Sequence, residues 1–198
     1  DEFFEIRVAG LKEQMHYRAP TLNPDGLSPQ ETFRLVVPRA QALVARMYRL
    51  FNDVILPALQ QENIHFYYRA AWTDAQRAWI KAYFQREVLP MLTPIGLAPA
   101  PPFPKLLNKS LNFAVALTGK DAFGRNSGTA VLQAPRALPR LVRLPADLAG
   151  TDSGFVFLSS ILHEHVGELF SGMNVTGWFQ FQVTRNSELD LEEEDIKN

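Results

Sequence analysis

The residues that could do chemistry are few, and most of them stand alone. His163-Glu164-His165 sets a carboxylate between two imidazoles, a group that could hold a metal ion or move a proton. On a helix, residues two apart point to different sides, unlike an i, i+4 histidine pair, and no third ligand cluster accompanies them. A structural or surface role is therefore expected. His16 and His65 have no partner that the sequence identifies. Gly119 to Asn126 (GKDAFGRN) has the spacing of a phosphate-binding loop but offers Arg125-Asn126 where lysine and a hydroxyl residue are needed. A strand pattern, not a helix, follows it, so a plain hairpin loop is expected. No serine–histidine–acid arrangement, dinucleotide fingerprint or pair of metal carboxylates appears. With no cysteine in 198 residues, disulfides and thiolate metal sites are excluded.

Charge is the more informative signal. The net value of -1 hides an uneven layout: Lys105, Lys109, Lys120, Arg125, Arg136, Arg140 and Arg143 face only Asp121 over one stretch, and acids dominate from Asp147 onward. Either the fold pairs the two regions, or the basic stretch faces a polyanion. Hydrophobic residues make up 46% of the chain, which argues against disorder, and no apolar run reaches the ~20 residues of a membrane helix. A chain of this size buries roughly 70% of its unfolded surface, enough for a true core.

The positioning elements divide around Leu92 to Phe113 (LTPIGLAPAPPFPKLLNKSLNF). Five prolines in eleven residues, Pro94 to Pro104, remove backbone donors and fix φ, so a rigid connector is expected here, neither helix nor central strand. Before it the apolar spacing is helical. Phe4, Val8, Leu11 and Met15 form one stripe, and Asn-Pro-Asp-Gly marks a loop between Arg18 and Pro29. Ser28-Pro29-Gln30-Glu31 opens a second helix running to about Glu62, with a kink expected near Pro38 and a kink or restart at Pro57. Ile64 to Ala71 is a candidate short strand. Thr73 and Gln76 cap a helix whose buried face is Trp79, Ile80, Tyr83, Phe84 and Val88, and Pro90 ends it.

Beyond the connector, strands are expected at Leu111–Leu117, Thr129–Ala134, around LVRLP, at FVFL leading into a helix through Leu169, and at Val175–Thr184. Glu192 to Lys197 starts another helix, and both ends of the chain read as truncated. From the residues alone this is a two-part soluble α+β chain, a helical N-terminal segment followed by a mixed helix/sheet part, with no self-contained active site.

Three segments carry a family likeness. DEFFEIRVAGLKEQ (1–14), the proline-rich block (92–113) and FQVTRNSEL (181–189) resemble, in order, the amino-terminal half of bacterial polyphosphate kinase of the phosphohistidine-forming type. The resemblance implies reversible transfer of the terminal phosphate of ATP to polyphosphate through a phosphorylated histidine, with magnesium. It implies a partial helical N-terminal domain at 1–63 and a head domain at 64–198, incomplete at its C-terminal end. The family's reactive histidine and phosphate-binding arginines lie in catalytic domains that this sequence lacks, and none of His16, His65, His163 or His165 corresponds to them. Its nucleotide-binding asparagine falls two residues before Asp1.

The resemblance therefore places no catalytic residue and no metal ligand in this chain; magnesium belongs to the parent enzyme. It leaves Phe3, which could stack on adenine, and Arg7, which could face phosphate, as nucleotide-binding candidates. Packing or ion pairing at those two positions is the competing account. It gives Arg136, Arg140 and Arg143 a place facing the polymer, and the head domain a part in homo-oligomer contacts. The parent's partners would be ATP and polyphosphate, with no nucleic acid and no membrane span, in the cytoplasm or peripherally at the inner membrane. The alternative is a stand-alone polyanion-binding or dimerisation module without enzymatic activity.

Overall fold

The computed structural model describes residues 2–17, 22, 25–97, 103–120 and 128–184. They fall into two compact units, one built on the chain up to Phe51 and one spanning Asn52–Val183.

The first unit is helical. Phe3–Val8 winds in wide π turns and continues as α1 (Ala9–His16), which packs against α2 (Pro29–Leu50). Ser28 caps α2 as the residue types dictate. Its hydroxyl accepts from the Glu31 amide at 3.3 Å while the Glu31 carboxylate accepts from the Ser28 amide at 2.9 Å. The Ser28 hydroxyl also donates to Glu31 Oε2 at 2.7 Å, and this bond first, with the Ser28 amide second, holds the Glu31 carboxyl below its usual range. The α geometry of α2 runs through Pro38 without a break. Of the stripe expected to be buried in the first helix, Val8 is buried and Phe4 is exposed, because i→i+5 closure over Phe3–Val8 shifts the α-helical spacing. On α2, Leu43, Met47 and Leu50 present an exposed apolar row at i, i+4 and i+7.

Phe51–Ile55, where the chain passes into the second unit, forms π turns directly before α3 (Leu56–Gln61), with Pro57 in the first turn of α3. Proline lacks an N–H and crowds the carbonyl four residues back, and a wider turn just ahead of it relieves both. The same device recurs at the end of α4 (Asp74–Tyr83). There Phe84–Val88 opens into π turns, and Leu89–Met91, containing Pro90, tightens to 3₁₀.

Two sheets complete this unit. β1 (Ile64–Phe66) runs parallel to β6 (Ser153–Phe157), which pairs antiparallel with β5 (Leu141–Arg143). The second sheet is antiparallel in the order β2 (Pro94–Gly96), β4 (Thr129–Gln133), β3 (Leu111–Gly119), β7 (Met173–Gln182). α5 (Ala146–Ala149) and α6 (Leu158–His165) flank β6 in sequence.

Two expectations need correction. The proline-rich block is not wholly a connector, since Pro94–Gly96 forms a strand. It lies at a sheet edge, where a missing N–H costs no ladder bond, so the physical rule survives. Nor does the block divide the packing. Ile80, Phe84 and Val88, each 0% exposed, share one core with Phe113 and Leu132 of one sheet, Val142 and Val156 of the other, and Ile161 and Leu162 of α6. The strand expected over Ile64–Ala71 stops at Phe66, and Arg69–Ala71 turns as 3₁₀. The helix start at Glu192–Lys197 and most of the loop at 119–128 lie outside the described residues.

Tyr67 and Gly154 show how tightly β1, α5 and β6 are joined. The Tyr67 hydroxyl donates to the Ala149 carbonyl, and a Cβ built at Gly154 would stand 2.4 Å from the Ala149 Cβ and 3.1 Å from Tyr67 Cε2. Gly154→Ala should therefore destabilise the fold by about 1–3 kcal/mol through overpacking, read as a lowered denaturant midpoint at unchanged slope. Half-buried His163 stacks on Trp178 at 5.3 Å, and its pKa is lowered by burial first and by the Arg69 charge second, with Glu164 opposing. The unfolded chain then takes up this proton first. The stability His163 contributes is present above its unfolded pKa of ~6.5 and is lost as pH falls through its lowered folded value. His163→Gln should flatten that part of the stability–pH curve, measured by thermal unfolding between neutral pH and pH ~5.

Candidate functional site

Two arginines of the basic stretch, Arg136 and Arg143, are held by backbone carbonyls. Arg136 lies in the turn after β4 and donates from Nη2 to the Asn108 carbonyl at 2.6 Å. Arg143 ends β5 and donates from Nε to the Asp152 carbonyl at 2.8 Å, with Nη2 on the same oxygen. Arg140, just before β5, is exposed, and its own carbonyl accepts from the Leu158 amide at 3.0 Å. A carbonyl fixes a guanidinium without cancelling its charge, so Arg136 and Arg143 keep an outward positive field.

Arg136 also rims a cleft of about 350 Å³ lined by Met91, Thr93, Ile95, Leu107 and Gln133. Next to Gln133 in the hydrogen-bond network, Ser110 and Asn112 are buried yet bonded. Gln133 Nε2 donates to Ser110 Oγ at 2.9 Å, and Asn112 Nδ2 donates to the Ser110 carbonyl at 2.9 Å. This satisfied network holds Gln133, which lines the cleft, in place.

The expected exchange between the basic stretch and the later acids takes a different form. Glu164 is shared by Arg69 at 3.2 Å and Arg77 at 2.6 Å, residues that precede the proline block. Arg77 Nη2 also donates to the Arg69 carbonyl at 2.9 Å, and its guanidinium lies 5.8 Å from the Trp72 ring centre. Two arginines on one carboxylate pin α4 and the 3₁₀ turn to α6. Trp72, Arg77, Lys81, Glu164 and His165 line a cleft of about 260 Å³ there. Sequence reasoning missed this cluster because its members lie 87 and 95 residues apart. The Thr73–Gln76 capping box, which fixes the register of α4, was the one legible cue.

The histidine pair diverges as the helical spacing requires. His163 stacks on Trp178, whereas His165 stacks on Phe84 at 5.0 Å and meets Glu168 Oε1 through Nδ1 at 3.0 Å. Among the described residues no three His, Cys, Asp or Glu side chains gather as a metal site. Phe3 and Arg7 are exposed on the π turns at the start of the chain, and Phe3 meets Phe4 edge-to-face at 5.4 Å. They belong to the first unit and the three arginines to the second. A further cleft of about 500 Å³ runs between α3 and β1, lined by Asn52, Leu56, Gln60, His65 and Tyr68. No described helix is long and apolar enough to cross a membrane.

Comparison with known proteins places this geometry. Residues 1–67 match the family model described as the polyphosphate kinase N-terminal domain, and residues 75–198 match the polyphosphate kinase middle domain. Polyphosphate kinases of Neisseria meningitidis serogroup B and Paraburkholderia phytofirmans are 59% and 56% identical over the whole of this chain. The chain spans 29% of the length of each. The crystal structure of polyphosphate kinase from Porphyromonas gingivalis superposes with a TM-score of 0.74 at 27% identity, covering 96% of this chain and 28% of that one. Two family domains matched in order over nearly all of the sequence, on a fold shared with a solved member, establish that the chain belongs to the polyphosphate kinase family.

Proposed function

We propose that this chain is the structural N-terminal and head portion of an enzyme that reversibly transfers the terminal phosphate of ATP to polyphosphate, and that it supplies surfaces to that reaction but no reacting group. The observation that carries the reading is the end-to-end family match combined with coverage of only 29% of its relatives. Phosphoryl transfer needs a positioned nucleophile and cations around the transferring group. His163 and His165 are committed to stacking against Trp178 and Phe84. The nucleophile and magnesium are assigned to the remaining polypeptide. The domain division is proposed at 1–63 and 64–198.

Within this division of labour, exposed Phe3 offers a ring to adenine and Arg7 a charge to phosphate. Arg136, Arg140 and Arg143 form a basic track for the polymer, because two of them hold their charge un-neutralised on backbone carbonyls. Head-domain contacts would assemble the homo-oligomer, and the parent enzyme would act in the cytoplasm or peripherally at the inner membrane. A stand-alone polyanion-binding or dimerisation module is the competing reading, favoured by the same arginines.

Incubating the 198-residue chain with ATP and magnesium should yield neither polyphosphate nor phosphohistidine; synthesis by the chain alone would refute the assignment. Binding of polyphosphate to the chain should weaken steeply with added salt. Replacing Arg136, Arg140 and Arg143 together by alanine should lower affinity about tenfold or more and reduce the salt slope. Equal binding by the triple variant would remove these residues from the polymer track.

A further inference from the structure

β7 (MNVTGWFQFQ) is ten residues long and carries no charged side chain and no proline. It forms one edge of its sheet, and among the described residues it pairs with β3 alone. Proteins blunt such edges with lysine, proline, short length or a covering element. The opposite edge obeys this rule, since β2 is three residues long and begins with Pro94. β7 uses neither proline, charge nor shortness.

The register fixes which backbone groups look outward. The Leu111 carbonyl accepts from the Ala134 amide and the Leu117 amide donates to the Gly128 carbonyl, so odd-numbered residues of β3 turn their polar groups toward β4. Asn112, Ala114 and Ala116 therefore turn toward β7, where Phe181, Phe179 and Gly177 are their register partners. Alternate residues of an antiparallel strand point the other way. Trp178, Gln180 and Gln182 thus direct their N–H and C=O groups at the outer edge, beside Phe179, which is 64% exposed.

We propose that this edge is the pairing site for an extended segment of the same polypeptide, drawn from the part of a polyphosphate kinase that lies beyond this chain. The inference rests on the reading above that the sequence is part of a longer enzyme. β7 is the last described element, and most of the relatives' length is unaccounted for by this chain. A tethered strand acts at an effective concentration of the order of millimolar, which a second copy must reach by its own abundance.

The test is amide hydrogen exchange on the 198-residue chain and on the polypeptide extended to its relatives' full length, each dilute and concentrated. The amides of Trp178, Gln180 and Gln182 should exchange about 100-fold more slowly in the longer polypeptide at every concentration, whereas those of Phe179 and Phe181 stay protected in both. In the longer polypeptide Gln180→Pro should abolish the added protection at Trp178 and Gln182 and leave Phe181 protected; Phe179→Pro, which breaks the ladder to β3, is the control that loosens both proteins. Rapid exchange at the three outer amides in the longer polypeptide overturns the proposal, and so does protection that grows with concentration, the mark of a second copy. Polyphosphate synthesis by the longer polypeptide is scored separately, so failure of the enzymatic reading and failure of the edge pairing are told apart.

Discussion

The second unit depends on one contact, the burial of Ile80, Phe84 and Val88 between two sheets that do not hydrogen-bond to each other. At i, i+4 and i+8 these side chains share a helix face, and they meet strand residues that follow the proline block. Truncating a residue such as Phe84 costs about 3–5 kcal/mol in a comparable core, a large share of a domain's net stability. The π turns at Phe84–Val88 belong to this constraint. They let the helix approach Pro90 while keeping Phe84 and Val88 buried.

Around that core the charges do two different jobs. Glu164 between Arg69 and Arg77 is structural: it ties α4 to α6 over a partly buried cleft. Arg136 and Arg143 are bound by carbonyls, which position the guanidinium and leave its charge intact. The distinction follows from what accepts each hydrogen bond, not from how many arginines a stretch contains.

The same logic explains the histidines. A metal or proton-transfer role for His163 and His165 needs both rings turned to one point, whereas spacing of two on α6 sends one ring to Trp178 and the other to Phe84. Half-burial first, and the Arg69 charge second, lower the His163 pKa, a consequence of packing that requires no catalytic purpose.

Sequence by itself determined the local features: the capping boxes at Ser28 and Thr73, the buried face of α4, and the strands β3, β4 and β7. Each is set by backbone stereochemistry or apolar spacing within a few residues, so it is legible without the rest of the chain. The family, too, was legible in three short segments. Only the tertiary structure decided that the chain on either side of the proline block shares one core, that β1 joins β6 from 89 positions away, and that Glu164 serves Arg69 and Arg77. Those are pairings between distant residues, selected by which surfaces exclude water together, and no local periodicity encodes the choice.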